Sequence, residues 1–222
     1  FAQRLGYAGY PELVQEVRGL VQEELRSEGE RERQAAAEQA LLTCLDWEIQ
    51  ALRRAVSHVS PDLARRLLSL LQAARRIYVT GQGASYHLAG IMACGLGGLG
   101  LDAWAVPGDA EGLAPLLARI EPNDALIGVS AEDSPEVARA LAYARQRGVR
   151  TVAVGHSAVS AAAHAADYAL TCAATERSEV QSVGALAVFL DALVQALAML
   201  EPGRRGQSAL ALDEARQSLR GP

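Results

Sequence analysis

The chain has 222 residues, of which 50% are hydrophobic and 21% are charged, and its formal net charge is −5. This composition excludes a disordered chain, and no apolar run approaches the roughly 20 residues that span a bilayer, so we expect a soluble cytoplasmic protein without a membrane segment. All 21 basic side chains are arginine, and no segment forms a basic patch. The acidic balance is atypical of a protein that mainly binds nucleic acid.

Three cysteines lie far apart in apolar segments: Cys44, Cys94 and Cys172. They lack the close pairing of a zinc site, and the four histidines are equally dispersed, so neither a disulfide framework nor a metal site is predicted. We expect the cysteines to be small core residues. No other cofactor is expected.

The first 74 residues are predicted to be helical, because apolar residues recur at intervals of three and four and no alternating β-branched run appears. Pro11 begins one helix, and the charged stretch 26–33 is either a solvated helix surface or a linker. A long helix follows over 35–59. Pro61 begins a further helix that ends near Arg75.

After Arg76 short apolar runs alternate with helical stretches. Strands that alternate with helices predict right-handed crossovers and a parallel sheet covered on both faces, here a doubly wound α/β domain. Such sheets bind ligands beyond the carboxyl ends of their strands, where the strand order reverses. The five predicted strands are Ile77–Thr80, Ala103–Val106, Ala125–Val129, Thr151–Val154 and Tyr168–Thr171.

The loop after the first predicted strand consists of Gly81, Gln82, Gly83, Ala84 and Ser85. Its glycines allow a close approach of the backbone to a ligand, its serine offers a hydroxyl, and the N–H groups of the next helix attract an anion. The spacing differs from the GxGxxG of dinucleotide sites. The alternative interpretation is a tight turn in which Ser85 is the helix N-cap.

The loop after the third predicted strand carries Ser130, Glu132, Asp133 and Ser134 ahead of Pro135. Pro135 suits the first position of a helix and Ser134 suits its cap. The two carboxylates oppose an anion, because each would cost roughly 3 kcal/mol per phosphate charge at about 5 Å and an effective dielectric near 20. Either they point to solvent, or the bound species is not a simple phosphate ester.

From Arg76 to about Leu200 the chain resembles the sugar isomerase (SIS) domain. The resemblance lies in the element order and in the segments GQGAS, SPEVARALAYARQRG, HAADYAL and SVGALAVFLDALVQAL. It implies that a phosphosugar binds between the two loops, with contacts from the first loop, Ser130, Ser134 and Glu179. The departures are Glu132 and Asp133, which stand where a serine and a glycine are usual, in a loop that is one residue short.

The first thirteen residues, FAQRLGYAGYPEL, resemble the end of the helix-turn-helix domain of RpiR-type transcriptional regulators. The resemblance implies that the chain starts inside a DNA-binding domain, with Arg4 as a DNA contact. The predicted organisation is a helix-turn-helix remnant over 1–30, a helical connector over 31–74, an SIS-like effector-binding domain over 75–200 and a tail helix over 201–222.

The leading hypothesis is a transcriptional regulator whose SIS-like domain senses a phosphosugar or a related metabolite. The domain would also form a homodimer or higher homo-oligomer and so control binding to operator DNA. One alternative is a phosphosugar isomerase or lyase, for which His87, Glu176 and Glu179 are the candidate groups. The other alternative is an SIS domain that has lost its ligand and serves only as a dimerisation module.

Overall fold

The computed structural model describes residues 10–172, 182–201, 203, 210 and 213–219. By its internal contacts the chain divides into two compact units, Phe1–Trp47 and Glu48–Pro222. In the part of the chain that is described, no helix combines the length and the apolar character that crossing a membrane requires.

The first helix, α1, is continuous over Tyr10–His58 and has 49 residues. Of the two alternatives for the charged stretch 26–33, the helix is therefore confirmed and the linker is wrong, and the helices predicted from Pro11 and over 35–59 are one helix. The physical reason is that Glu and Arg, which dominate this stretch, are good helix formers, and opposite charges three or four residues apart stabilise a helix.

The second unit contains the predicted alternation of strands and helices, and most predicted strands extend by one residue at an end. After α2 (Pro61–Ala73), the elements are β1 (Ile77–Gly81), α3 (Ala84–Gly98), β2 (Ala103–Pro107), α4 (Ala110–Arg119), β3 (Ala125–Ser130), α5 (Pro135–Gln146), β4 (Arg150–Gly155), α6 (Ala161–Ala165), β5 (Tyr168–Thr171) and α7 (Gly184–Leu200). In the C-terminal tail, residues 213–219 are helical.

The five strands form one parallel sheet in the order β2-β1-β3-β4-β5. The chain passes from β1 outward to β2 and then returns to place β3 on the other side of β1. The strand order therefore reverses between β1 and β3. The doubly wound five-stranded parallel sheet predicted from the sequence is confirmed, and the reversal point determines where a ligand site is expected.

Each face of the sheet packs against its own hydrophobic cluster. Ile77 and Val79 of β1 join side chains of α3 and α7 on one face, whereas Tyr78 joins side chains of α4 and α5 on the other. Successive residues of a strand point to opposite faces, so a strand that is covered on both sides buries every residue and is mostly apolar. This is why β1 and β3 are buried along their whole length.

The carboxylate of Asp167 anchors β4 just before β5 begins. It accepts hydrogen bonds from the Thr151 N–H at 2.9 Å and from the Thr151 hydroxyl at 3.1 Å, and it pairs with Arg145 at 3.2 Å. The Asp167 N–H in turn donates to the Thr151 hydroxyl at 2.9 Å. Because these polar groups satisfy one another, the chain enters the edge strand β5 without an orphaned polar atom at this pair.

The prediction that all three cysteines are core residues is wrong for two of them. Cys172 is buried, and burial raises the pKa of its thiol, but Cys44 and Cys94 are exposed. The reason is helical periodicity: Cys94 lies on α3 between the buried residues Ala93 and Leu96, on the side that faces outward.

Candidate functional site

Two loops meet at the carboxyl ends of β1 and β3, where the strand order reverses. They enclose a cleft of about 190 Å³. Its lining consists of Gln82, Gly83, Ala84, Ser85, Val129, Ser130, Ala131, Glu132, Asp133, Ser134 and Val183. The structure thus brings together most of the residues that the sequence analysis selected from two loops 46 residues apart.

The predicted site residues fall into three groups. Gln82, Gly83, Ala84, Ser85, Ser130 and Ser134 line the cleft, whereas Gly81, the last residue of β1, is not part of the lining. Glu179, Glu176 and Arg4 lie outside the described residues. His87 is exposed on α3 and is not part of the cleft lining.

The two glycines of the first loop permit a very tight turn. A Cβ atom on Gly81 would lie 2.7 Å from the backbone of Ser85, and Gly83 has a φ of +53°, in the region that favours glycine. From the sequence we expect these glycines to allow close approach of a ligand. The structure gives Gly81 a different role, because the group that approaches it is the first turn of α3.

Ser85 does not cap α3, so the N-cap interpretation of this residue is wrong. The N-cap is Gly83, which has no side chain to offer, and Ser85 lies one residue inside the helix. The Ser85 side chain is 4% exposed, and its Oγ accepts a hydrogen bond from the Ala131 N–H at 2.9 Å. This bond connects the two loops and leaves the Ser85 hydroxyl proton able to donate to a ligand.

The beginning of α3 offers backbone donors to the cleft. The N–H groups of Ser85 and Tyr86 donate back to the carbonyls of Gln82 and Gly83, at 3.0 and 3.1 Å. Among the described residues, the N–H groups of Gly83 and Ala84 have no backbone acceptor. Unsatisfied N–H groups and the positive end of the helix dipole make such a terminus attractive to an anion.

In the second loop both serines hold the local conformation. The Ser130 hydroxyl donates to the carbonyl of Glu132, within its own loop. Ser134 is the N-cap of α5, as predicted, and its Oγ accepts the Val137 N–H at 3.4 Å. Ser134 retains its hydroxyl proton for a ligand, whereas Ser130 must redirect its proton to reach one.

The cleft carries a negative charge. Glu132 and Asp133 are exposed and line it, and neither forms an ion pair with another residue in the described part of the chain. No arginine or histidine is found among the described residues of its lining. The nearby Glu136 pairs with Arg139 at 3.3 Å, and its other oxygen lies 3.4 Å from the Gln82 amide.

Residues 130–133 also border a neighbouring cavity of about 300 Å³, which His156, Ser157 and Ser160 complete. The His156 Nδ1 lies 2.6 Å from the Cys172 carbonyl, so Nδ1 carries the proton and donates to that oxygen. The His156 Nε2 is buried, with no partner among the described residues. The sequence analysis did not select His156, although its position after β4, beside the reversal point, could have indicated it.

A larger cavity of about 430 Å³ lies at the opposite, amino-terminal edge of the sheet, beside Arg65, Arg66 and Arg150. Asp62 pairs with both Arg65 and Arg66, at 3.1 and 2.7 Å, and its hydrogen bond raises the pKa of Arg66. Size alone would favour this cavity. We assign the site to the smaller cleft because it lies at the strand-order reversal and contains the glycine loop and an uncapped helix N-terminus.

Comparison with protein families finds that the SIS domain model matches residues 70–201, which is more than half of the chain. The sugar isomerase domain of the RpiR transcription factor from Sphaerobacter thermophilus superposes with a TM-score of 0.75 at 27% identity, over 79% of this chain and 99% of that one. No protein of curated function matches the chain.

Two further structures share the fold. The Vibrio vulnificus NanR protein complexed with ManNAc-6P has a TM-score of 0.70 at 20% identity, over 100% of this chain and 80% of that one. The E. coli CFT073 protein c3406, in complex with a sugar phosphate, has a TM-score of 0.62 at 21% identity, over 78% of this chain and 97% of that one. At these identities the likeness extends to the fold alone.

The bond between the loops predicts a measurable cost for Ser85→Ala. We expect a loss of about 0.5–1.5 kcal/mol in the free energy of unfolding, because the variant lacks the acceptor for the Ala131 N–H. Urea denaturation measures the difference. Ser69→Ala, at an exposed position on α2, is the control and should change stability by less than about 0.5 kcal/mol. Equal stability of the Ser85→Ala variant and the parent would show that this bond contributes nothing in solution.

Proposed function

The chain belongs to the SIS domain family, and we propose that its α/β domain binds a phosphosugar or a related metabolite between the β1–α3 and β3–α5 loops. One observation carries the proposal: Ser85 lines the same cleft as Gly83 and Ala84, whose N–H groups have no backbone acceptor among the described residues. That arrangement provides several donors to one anionic group. The sugar phosphates held by two structural neighbours, ManNAc-6P in one of them, support this class of ligand.

In this proposal the phosphate lies against the N-terminus of α3. The N–H groups of Gly83 and Ala84 and the hydroxyl of Ser85 donate to its oxygens, and Ser134 donates from the opposite loop. Ser130 donates a hydrogen bond to the phosphate only if its hydroxyl turns away from the Glu132 carbonyl. We propose Glu179 as a further ligand contact.

We further propose that the ligand controls a transcriptional regulator. The support is the 27% identity to the sugar isomerase domain of an RpiR transcription factor and the motif at residues 1–13, which resembles the end of a helix-turn-helix domain. In such a regulator Arg4 contacts operator DNA. The position of His87 also favours sensing over catalysis. It is the one isomerase candidate that the structure describes, and it is not part of the cleft lining.

We propose that the regulator is a homodimer or a higher homo-oligomer. Within the second unit, α3 exposes Ile91 (56%) and α7 exposes Val188 (53%) and Met199 (83%). The two helices pack against each other. A second copy of the chain would cover apolar side chains that now face water.

Ligand binding should stabilise the folded chain. At 100 times its Kd, a sugar phosphate should add about 2.7 kcal/mol to the free energy of unfolding. The corresponding unphosphorylated sugar at the same concentration should add far less, because it binds more weakly. Thermal-shift measurements across a panel of hexose 6-phosphates test this. Gly81→Ala should abolish the shift, because its Cβ would displace the backbone of Ser85, whereas Gly97→Ala has open space and should retain it. If no sugar phosphate stabilises the chain, the ligand-free dimerisation module becomes the better interpretation.

The regulatory role predicts a ligand-dependent interaction with DNA. A protein that joins a complete helix-turn-helix domain to this chain should bind a promoter fragment, and the ligand should change that affinity. The 222-residue chain alone should bind DNA poorly. Gel-shift assays at fixed salt concentration compare the two, because phosphate contacts make such affinities strongly salt-dependent. Tight, sequence-specific binding by the shorter chain would contradict the assignment of its N-terminal residues.

A further inference from the structure

Two carboxylates line the cleft that we assign to a phosphosugar. Glu132 and Asp133 follow β3 directly, border both the 190 Å³ cleft and the adjoining 300 Å³ cavity, and form no ion pair with another described residue. The described part of the cleft lining contains no cationic side chain to balance them. A ligand that fills this cleft therefore meets anion-binding groups at the start of α3 and two negatively charged residues of the β3–α5 loop.

These charges act against a ligand that is only anionic. A phosphate held by the N-terminus of α3 shares the cleft with Glu132 and Asp133, and like charges repel at such short range. The same law favours a ligand that places a positive group beside the carboxylates. The charge distribution of the cleft thus complements a zwitterion better than it complements a simple sugar phosphate.

We propose that the ligand is an amino sugar phosphate, whose phosphate binds at the start of α3 and whose ammonium group binds to Glu132 and Asp133. This inference rests on the proposed function, since it specifies the ligand of the same cleft. An ammonium group donates three hydrogen bonds and so can reach both carboxylates. The adjoining cavity, with Ser157 and Ser160, provides hydroxyls for the remaining sugar oxygens.

A divalent cation bridging phosphate and carboxylates is the competing arrangement. Magnesium requires six oxygens in near-ideal octahedral geometry. Among the described residues, no group of three or more His, Cys, Asp or Glu side chains could hold a metal ion. Magnesium is commonly held by one or two carboxylates together with ligand phosphates, so the comparison of EDTA with Mg²⁺ in the titrations separates a bridging metal ion from an ammonium group.

Calorimetric titration of the full chain tests the inference with three ligands that share one phosphate. These are glucosamine 6-phosphate, N-acetylglucosamine 6-phosphate, in which acetylation removes the positive charge, and glucose 6-phosphate, in which a hydroxyl replaces the amine. We expect glucosamine 6-phosphate to bind at least about tenfold more tightly than the other two, the order expected of one charge-assisted hydrogen bond. All titrations contain EDTA.

Variants assign the preference to the two carboxylates. In the double variant Glu132→Gln and Asp133→Asn, we expect the three ligands to bind equally, with no loss of affinity for glucose 6-phosphate. Asp191→Asn removes one negative charge from an exposed position on α7 outside the cleft lining, and it should keep the tenfold preference. This control separates a local contact from the effect of net charge.

The outcomes distinguish this inference from the proposed function. If all three ligands bind the parent chain equally, or if the double variant keeps the preference, the ammonium site is overturned while phosphosugar binding stands. If binding appears only when Mg²⁺ replaces EDTA, the carboxylates hold a metal ion and the inference is also overturned. If none of the three binds under either condition, the proposed function fails and the inference fails with it.

Discussion

The hydrogen bond from the Ala131 N–H to the Ser85 hydroxyl joins the two loops on which the site depends. Each loop follows a strand next to the strand-order reversal, so the sheet brings them close, but the sheet alone does not determine their separation. The bond does so within a buried contact, and it requires Ser85 to lie inside the first turn of α3. That position is reached only because Gly81 has no Cβ to collide with the Ser85 backbone.

The fold was predictable because its main constraint is hydrophobic burial. Apolar runs such as Ala125–Val129, separated by helical stretches, indicate strands covered on both faces, and right-handed crossovers leave few ways to arrange them. The same rule placed the candidate site at the ends of β1 and β3. A helix cap that has a local sequence pattern is equally predictable, since Ser134 followed by Pro135 marks the start of α5. For these features local sequence and global packing agree.

The features that sequence reasoning missed depend on contacts between distant residues. Nothing near Ser85 shows that its hydroxyl bonds to a residue 46 positions later, and the local pattern instead favours an N-cap. The continuity of α1 through 26–33 was missed because a charge run suits an exposed helix and a linker equally well. Cys94 was assigned to the core from its apolar neighbours, although helical periodicity turns it outward. The orientation of the His156 ring depends on its hydrogen bond to the Cys172 carbonyl, and only the folded sheet brings these two residues together.

We propose that the ligand phosphate lies between the β1–α3 and β3–α5 loops, and a crystal structure of the chain with a bound phosphosugar would show where the phosphate binds. We expect phosphate density within hydrogen-bond distance of the Gly83 and Ala84 N–H groups and the Ser85 hydroxyl. Phosphate density in the cavity beside Arg65, Arg66 and Arg150, at the opposite edge of the sheet, with the cleft unoccupied, would contradict it.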